Sequence, residues 1–203
     1  MSQLKTLRLL LILSACLLAG MAVAFLLKPT QTDPQPGGHK LGGDFTLTSA
    51  SGPVSLSDFK GQVVALYIGY ASCPDVCPTA LAVLSQAIRN LTPEQREQVQ
   101  GIFISVDPER DTPEKLAKYA GFFSDRLIGV TGTREQIDRV VRQYGAFYRI
   151  VELDDSALGY AVDHSSRLFL IDRDGEPAGT LVHNSTPTEL GQWLQRLLDD
   201  TES

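Results

Sequence analysis

The chain has no excess of basic charge, few sulfur-containing side chains and no repetition. Its 203 residues contain 18 Lys and Arg against 24 Asp and Glu, which gives a formal net charge of −6. Because contact with phosphates needs a basic face, this balance argues against a nucleic-acid partner. We find no internal repeat and no low-complexity tract, and 43% of the residues are hydrophobic. This composition is typical of one globular domain with appendages.

Only three cysteines and three histidines are present, so a redox or metal site has few side chains to use. Cys73 and Cys77 directly follow the apolar run 63–70 and are separated by three residues. Two thiols at this spacing can close a disulfide or hold a soft metal ion between two thiolates. The segment therefore indicates a redox or metal site, and by itself it leaves these two interpretations open.

The N-terminal region predicts a membrane anchor. Residues 9–27 carry no charge and, at about 1.5 Å per residue, cross most of a bilayer core of ~30 Å. Lys5 and Arg8 precede this run, which favours a cytoplasmic segment at 1–8 and an extracytoplasmic remainder. The competing interpretations are a cleaved signal peptide and a lipoprotein acylated on Cys16.

Residues 28–43 are rich in proline and glycine and are expected to form a linker, which leaves 44–203 as the folded domain. The N-terminus lacks a long arginine-rich presequence. We therefore expect a bacterial inner-membrane protein with its C-terminal domain in the periplasm, rather than a mitochondrial one.

The folded domain alternates strands with helices, which predicts an α/β fold with a central mixed sheet, mostly parallel, with helices on both faces and hairpins at the ends. After an N-terminal β-hairpin over 45–56, strands are expected at 63–70, 101–106, 127–130, 147–151, 167–171 and 179–182, and helices at 80–91, 111–123, 133–144 and 187–198. A cysteine pair that ends the first long strand and leads into a helix is the thioredoxin-like arrangement.

Pro78 predicts where that helix begins. Proline lacks an N–H and fits only the first helical turn, so we expect the helix to start at Pro78 with Cys77 as its cap. Both thiols would then lie near the positive end of the helix dipole, which favours thiolates. Thiolates select monovalent copper over hard cations, and imidazole is the natural third ligand of a trigonal site.

His164 is the candidate for that third ligand. It lies in a polar loop, 162–166, just before the strand 167–171, and in a thioredoxin-like sheet this loop adjoins the cysteine loop. His39 falls in the linker, and His183 ends a strand. Both are expected to be ordinary surface residues.

Four ordered motifs make the chain resemble the Sco/SenC family of copper-binding assembly proteins. They are 69–78, which contains the cysteine pair, 105–113, 128–133 and Asp163-His164-Ser165-Ser166. The resemblance covers about 41–198. It implies a membrane-tethered thioredoxin-like domain that binds Cu(I), and also Cu(II), through Cys73, Cys77 and His164. Residues 70–72 replace the family's more usual phenylalanine-threonine-histidine stretch, which removes no ligand.

The family is implicated in delivering copper to the binuclear centre of cytochrome c oxidase subunit II, or in keeping the cysteines of that subunit reduced. The first role predicts a metallochaperone, not an enzyme, that takes copper from a donor chaperone and passes it on by thiolate exchange. In that role Asp163 or Asp107 would orient His164 or contact the partner.

The second role predicts a thiol-disulfide oxidoreductase in which Cys73 attacks and Cys77 resolves. Two further interpretations are weaker. A peroxidase needs an activating set of residues that the sequence does not show. A structural disulfide across so short a loop would restrict the unfolded chain little.

Overall fold

The computed structural model describes residues 41–153 and 159–200. In chain order this part contains β1 (Thr46–Ser49), β2 (Gly52–Ser55), a 3-10 turn (Leu56–Phe59), β3 (Val63–Gly69), α1 (Val76–Arg89), α2 (Pro93–Glu97), β4 (Val99–Ser105), α3 (Pro113–Phe123), β5 (Leu127–Val130), α4 (Arg134–Gln143), β6 (Tyr148–Glu152), β7 (Tyr160–His164), β8 (Arg167–Ile171), β9 (Pro177–Val182) and α5 (Pro187–Asp199).

The central sheet has five strands in the order β5-β4-β3-β8-β9. β3, β4 and β5 run parallel, whereas β8 is antiparallel to β3 and β9 is antiparallel to β8. Every residue of β3 and β4 is buried, although successive side chains point to opposite faces. Both faces of the sheet are therefore covered, and the predicted thioredoxin-like fold with a mixed sheet flanked by helices is confirmed.

Helices α3, α4 and α5 begin where the sequence supplies a hydroxyl cap. Thr112, Thr133 and Thr186 each accept a hydrogen bond from a backbone N–H in the first turn of the helix that follows. Pro113 and Pro187 occupy first-turn positions, where the absence of an N–H removes no intrahelical hydrogen bond. Local sequence therefore fixes the starts of α3, α4 and α5.

Two hairpins lie outside the central sheet. The predicted N-terminal hairpin is confirmed as β1 and β2, with Thr46 opposite Ser55. A second hairpin joins β6 and β7, with Tyr148 opposite His164. The prediction of a polar loop at 162–166 was wrong for residues 162–164, because they pair with β6 and belong to β7.

No helix within 41–153 and 159–200 has the length and hydropathy that a membrane span requires. The predicted anchor at 9–27 lies outside the described residues, as do Cys16 with its alternative of acylation, and His39.

Candidate metal centre

The cysteine loop connects β3 to α1. The helix begins at Val76, with Asp75 as its N-cap, so Cys77 lies in the first helical turn. The expected start at Pro78 with Cys77 as the cap was therefore wrong by two residues. Pro78 is tolerated because the first N–H groups of a helix have no intrahelical acceptor in any case. One consequence is that the helical backbone fixes the position of the Cys77 sulfur.

Cys73, Cys77 and His164 converge at the end of the sheet. One ligand atom from each residue lies within 4.8 Å of the other two. Cys77 is fully buried, Cys73 is 9% exposed, and both are free thiols. His164 is half-buried. The fold thus brings together the three residues that the sequence analysis selected, and His183 is not part of this group.

The imidazole of His164 is oriented by its own backbone neighbour. Its Nδ1 lies 3.2 Å from the carbonyl oxygen of Ser165, and its Nε2 lies 3.3 Å from the sulfur of Cys77. An Nδ1–H that donates to the carbonyl leaves the lone pair on Nε2 facing the thiol. Such a hydrogen bond from the second ring nitrogen is typical of metal-binding histidines. The rings of Tyr67 and Tyr70 contact the imidazole edge-on, with centroid distances of 6.1 and 5.8 Å.

The carboxylates that the sequence analysis assigned to His164 have other partners in the described part of the chain. Asp163 accepts a hydrogen bond of 2.6 Å from Arg149 on the neighbouring strand. Asp107 accepts one of 2.7 Å from the hydroxyl of Tyr160 and forms an ion pair with Arg110. Neither carboxylate therefore has the imidazole as its hydrogen-bond partner here, and the alternative role, contact with a partner protein, stays a prediction. Asp163 directly precedes His164 on β7, and successive side chains of a strand point to opposite faces, so the carboxylate points away from the imidazole.

The two thiols differ in acidity. A hydrogen bond from Cys77 lowers the pKa of Cys73, with further help from His164 and the backbone N–H of Asp75, against an opposing effect of burial. The pKa of Cys77 is raised, because its S–H is donated to Cys73 and because it is buried. Cys73 is therefore the more acidic of the two thiols, and Cys77 is the less acidic one.

A buried carboxylate, which the sequence analysis did not select, holds the cysteine loop. Asp111 is 0% exposed and accepts hydrogen bonds from the backbone N–H of Ala71 at 2.7 Å and the hydroxyl of Ser105 at 2.6 Å. Lys115 forms an ion pair with it at 2.8 Å and also donates to the hydroxyl of Ser72 at 3.3 Å. The second sequence motif therefore supports the loop that carries Cys73.

Arg110 ties the same region to the second hairpin. Its guanidinium lies 3.6 Å from the ring centroid of Tyr160 and 5.7 Å from that of Tyr70. It also donates to the backbone carbonyl of Tyr160 at 2.9 Å. Because Tyr160 begins β7 and His164 ends it, these contacts restrain the strand that carries the imidazole.

The site opens into a cavity of about 530 Å³ between the cysteine loop and the second hairpin. Cys73 and His164 line this cavity, and Phe147, which is 61% exposed, lies at its edge. Cys77 is fully buried beneath them. An incoming ligand therefore reaches the site from the side of Cys73 and His164.

The donor set fits a copper ion. Two thiolates and one imidazole are soft and borderline ligands, which favour monovalent copper over hard cations. Two ligand atoms that each lie about 2.0–2.3 Å from one ion are no more than about 4–4.6 Å apart. The ligand atoms of Cys73, Cys77 and His164 lie within 4.8 Å of one another, which is close to this limit. A structural zinc site uses four protein ligands, whereas this group supplies three.

Comparison with known proteins identifies close relatives. A family model described as SCO1/SenC matches residues 33–199. A SCO2-like protein of Rickettsia conorii is 34% identical over 195 residues, which cover 91% of this chain and 95% of that protein.

Solved structures agree with this similarity. The structure of Bradyrhizobium japonicum ScoI with copper bound is 36% identical, with a TM-score of 0.70 over 77% of this chain and 99% of that one. The structure of BsSco is 25% identical, with a TM-score of 0.60 over 78% and 93%. It is described as revealing a disulfide switch in a member of the Sco family of cytochrome c oxidase assembly proteins.

Proposed function

The chain belongs to the SCO1/SenC family, and from that membership we propose that it is a copper metallochaperone for the assembly of cytochrome c oxidase. The observation that carries this proposal is the convergence of Cys73, Cys77 and His164 to within 4.8 Å. ScoI of B. japonicum is described with copper bound, and BsSco as a cytochrome c oxidase assembly protein. These descriptions support copper as the cargo and the oxidase as its destination.

The cargo is held by the thiolates of Cys73 and Cys77 and by Nε2 of His164. Thiolates favour Cu(I), and the imidazole also allows the site to take Cu(II). Binding displaces the thiol protons, because only thiolates ligate a metal. Delivery is a ligand exchange: bonds from copper to the partner's thiolates form as those to this chain break. No electron is transferred when copper remains Cu(I).

The order in which the three ligands are exchanged follows from their burial. Cys73 and His164 line the open cavity, whereas Cys77 is fully enclosed. A partner's thiolate can therefore replace Cys73 or His164 first, and Cys77 holds the copper until the second exchange. This order keeps the ion bound to protein throughout the transfer.

We propose subunit II of cytochrome c oxidase, or one of its assembly factors, as the recipient, and a separate copper chaperone as the donor. The uncharged run 9–27, preceded by Lys5 and Arg8, supports a single anchor in a bacterial inner membrane. The copper-binding domain would then lie in the periplasm, beside the copper centre that it serves. Acylation on Cys16 is the alternative mode of attachment.

A second candidate function is thiol-disulfide exchange, which the two free thiols and their unequal acidity favour. The Cys73 thiolate would attack a partner's disulfide, form a mixed disulfide and release one partner thiolate. Cys77 would then lose its proton, attack the sulfur of Cys73 and release the second thiolate. The partner gains two electrons, and a Cys73–Cys77 disulfide remains for an external dithiol reductant to reduce.

Anaerobic titration of the reduced full-length chain with Cu(I), in competition with a chelator, tests the metallochaperone. We expect one copper per chain, bound tightly by the wild type and weakly by His164→Ala. The same two proteins are then mixed with a subunit II peptide whose two cysteines form a disulfide. Weak copper binding that does not depend on His164, together with rapid reduction of the peptide by both proteins, would contradict the metallochaperone and support the thiol-disulfide reductase.

A further inference from the structure

Tyr67 buries a hydroxyl group that has no hydrogen-bond partner in the described part of the chain. The residue lies in β3 and is 0% exposed, and its phenol oxygen is completely enclosed. A buried hydroxyl without a partner costs about 1–3 kcal/mol. A phenylalanine would fill the same volume without that cost, so a partner that is present in another state of the protein would account for the hydroxyl.

The ring of Tyr67 and the sulfur of Cys77 meet above Gly69. A Cβ atom at Gly69 would lie 2.6 Å from the Cys77 sulfur and 3.1 Å from Cε1 of Tyr67, the ring carbon next to the one that bears the hydroxyl. The same ring contacts His164 edge-on, and its other neighbour is Phe103, with parallel rings 6.4 Å apart. Tyr67 thus packs against the imidazole of the metal centre and lies beside the inner thiol.

We propose that Tyr67 is a positioning residue whose phenol donates a hydrogen bond to the sulfur of Cys77 when that sulfur is a copper-bound thiolate. This inference rests on the proposed copper site. The sulfur of a protonated thiol is a weak acceptor. Copper replaces that proton and leaves negative charge on a sulfur that water cannot reach.

A hydrogen bond to a coordinating sulfur draws electron density away from it, and such contacts tune the metal. Removal of the hydroxyl should make the sulfur a stronger electron donor. In Tyr67→Phe we expect the thiolate-to-Cu(II) charge-transfer absorption to move to longer wavelength. We also expect the affinity for Cu(I) to fall by about 10-fold or more, because outer contacts of a metal centre typically contribute that much.

Tyr119→Phe is the matched control. Tyr119 also buries a phenol oxygen without a partner in the part of the chain that the structure describes, and it packs on Phe103 with ring centroids 5.5 Å apart. Its other ring contact is with Phe123 at 5.3 Å, whereas the ring of Tyr67 contacts His164. Both substitutions remove one unpaired hydroxyl, so neither should lower the melting temperature of the metal-free protein.

The experiment compares full-length wild type, Tyr67→Phe and Tyr119→Phe by absorption spectroscopy with Cu(II) and by chelator competition for Cu(I). A shifted band and reduced affinity in Tyr67→Phe alone support the hydrogen bond. Wild-type values in Tyr67→Phe, or equal changes in Tyr119→Phe, overturn it.

The same measurements separate a failure of this inference from a failure of the proposed function. If the wild type binds no copper, the metallochaperone and the copper-dependent hydrogen bond both fail. If the wild type binds copper tightly and Tyr67→Phe matches its spectrum and its affinity, only the role of Tyr67 is overturned.

Discussion

The Nε2 atom of His164 lies 3.3 Å from the sulfur of Cys77, although 87 positions separate them in the chain. Cys77 is fixed by the first turn of α1, which follows β3, and His164 ends β7, just before β8. β3 and β8 are neighbours in the sheet. The pairing of two strands therefore assembles the third ligand with the cysteine pair before any metal is bound.

Loss of the imidazole should weaken copper binding more than loss of any supporting residue. Removal of an outer contact typically reduces metal affinity by about 10–100-fold, so we expect His164→Ala to lower the affinity for Cu(I) by more than about 100-fold. Chelator competition measures this change. His183→Ala is the matched control, because His183 is outside the cluster. Equal losses in the two variants would contradict the three-ligand site.

Gly69 provides the space that the Cys77 sulfur occupies. A Cβ there would approach that sulfur to 2.6 Å, so Gly69→Ala should displace Cys77 and reduce the free energy of unfolding by about 1–3 kcal/mol. Copper affinity should fall at the same time, and unfolding in urea and chelator competition measure the two effects.

Gly121→Ala is the control for this substitution. Gly121 lies in α3, and a Cβ added there would meet nothing within 4 Å. Alanine should therefore raise the free energy of unfolding by up to about 1 kcal/mol and leave copper binding unchanged. Wild-type behaviour of Gly69→Ala would show that the sulfur is not confined.

Asp111 should stabilise the cysteine loop through its buried hydrogen bonds. Asp111→Ala leaves the N–H of Ala71 and the hydroxyl of Ser105 without an acceptor, and each stranded group costs about 1–3 kcal/mol. The exposed ion pair of Asp163 with Arg149 is the comparison, because Asp163→Ala should cost no more than about 1 kcal/mol. Urea unfolding measures both, and similar losses would refute the anchoring role of Asp111.

Cys73 should react as a thiolate at lower pH than an ordinary cysteine. Its pKa is lowered, chiefly by the hydrogen bond from Cys77, so its thiolate is present at pH values below the ~8.5 of a free cysteine. Alkylation of the reduced metal-free chain, followed by peptide mass spectrometry across pH, should show an early midpoint for Cys73 and slow reaction of buried Cys77. In Cys77→Ala the donor is lost and the midpoint of Cys73 should rise. A wild-type midpoint at or above about 8.5 would be incompatible with this hydrogen bond.

Much of this architecture is readable from local sequence. The hydroxyl of Thr112 before Pro113, and that of Thr186 before Pro187, set helix starts because a cap and a first-turn proline act within one turn. The apolar run at 63–70 also predicts a buried strand from local information, because each of its residues has its own preference for a buried, extended conformation. One error lies where strand pairing decides the outcome. The sequence predicts a loop at 162–164, because only contacts with β6 make these residues part of a strand.

The sequence by itself determined the fold class, the donor set of two thiols and one imidazole, and the loop that presents the thiols, because these depend on residue type and short-range order. Tertiary structure alone decided that Cys77 is enclosed while Cys73 and His164 face the cavity, that Ser165 rather than a carboxylate orients the imidazole, and that Asp111 and Tyr67 lie behind the cysteines. Burial and hydrogen bonding between residues distant in the chain arise only when the sheet and helices pack, and no local pattern encodes them.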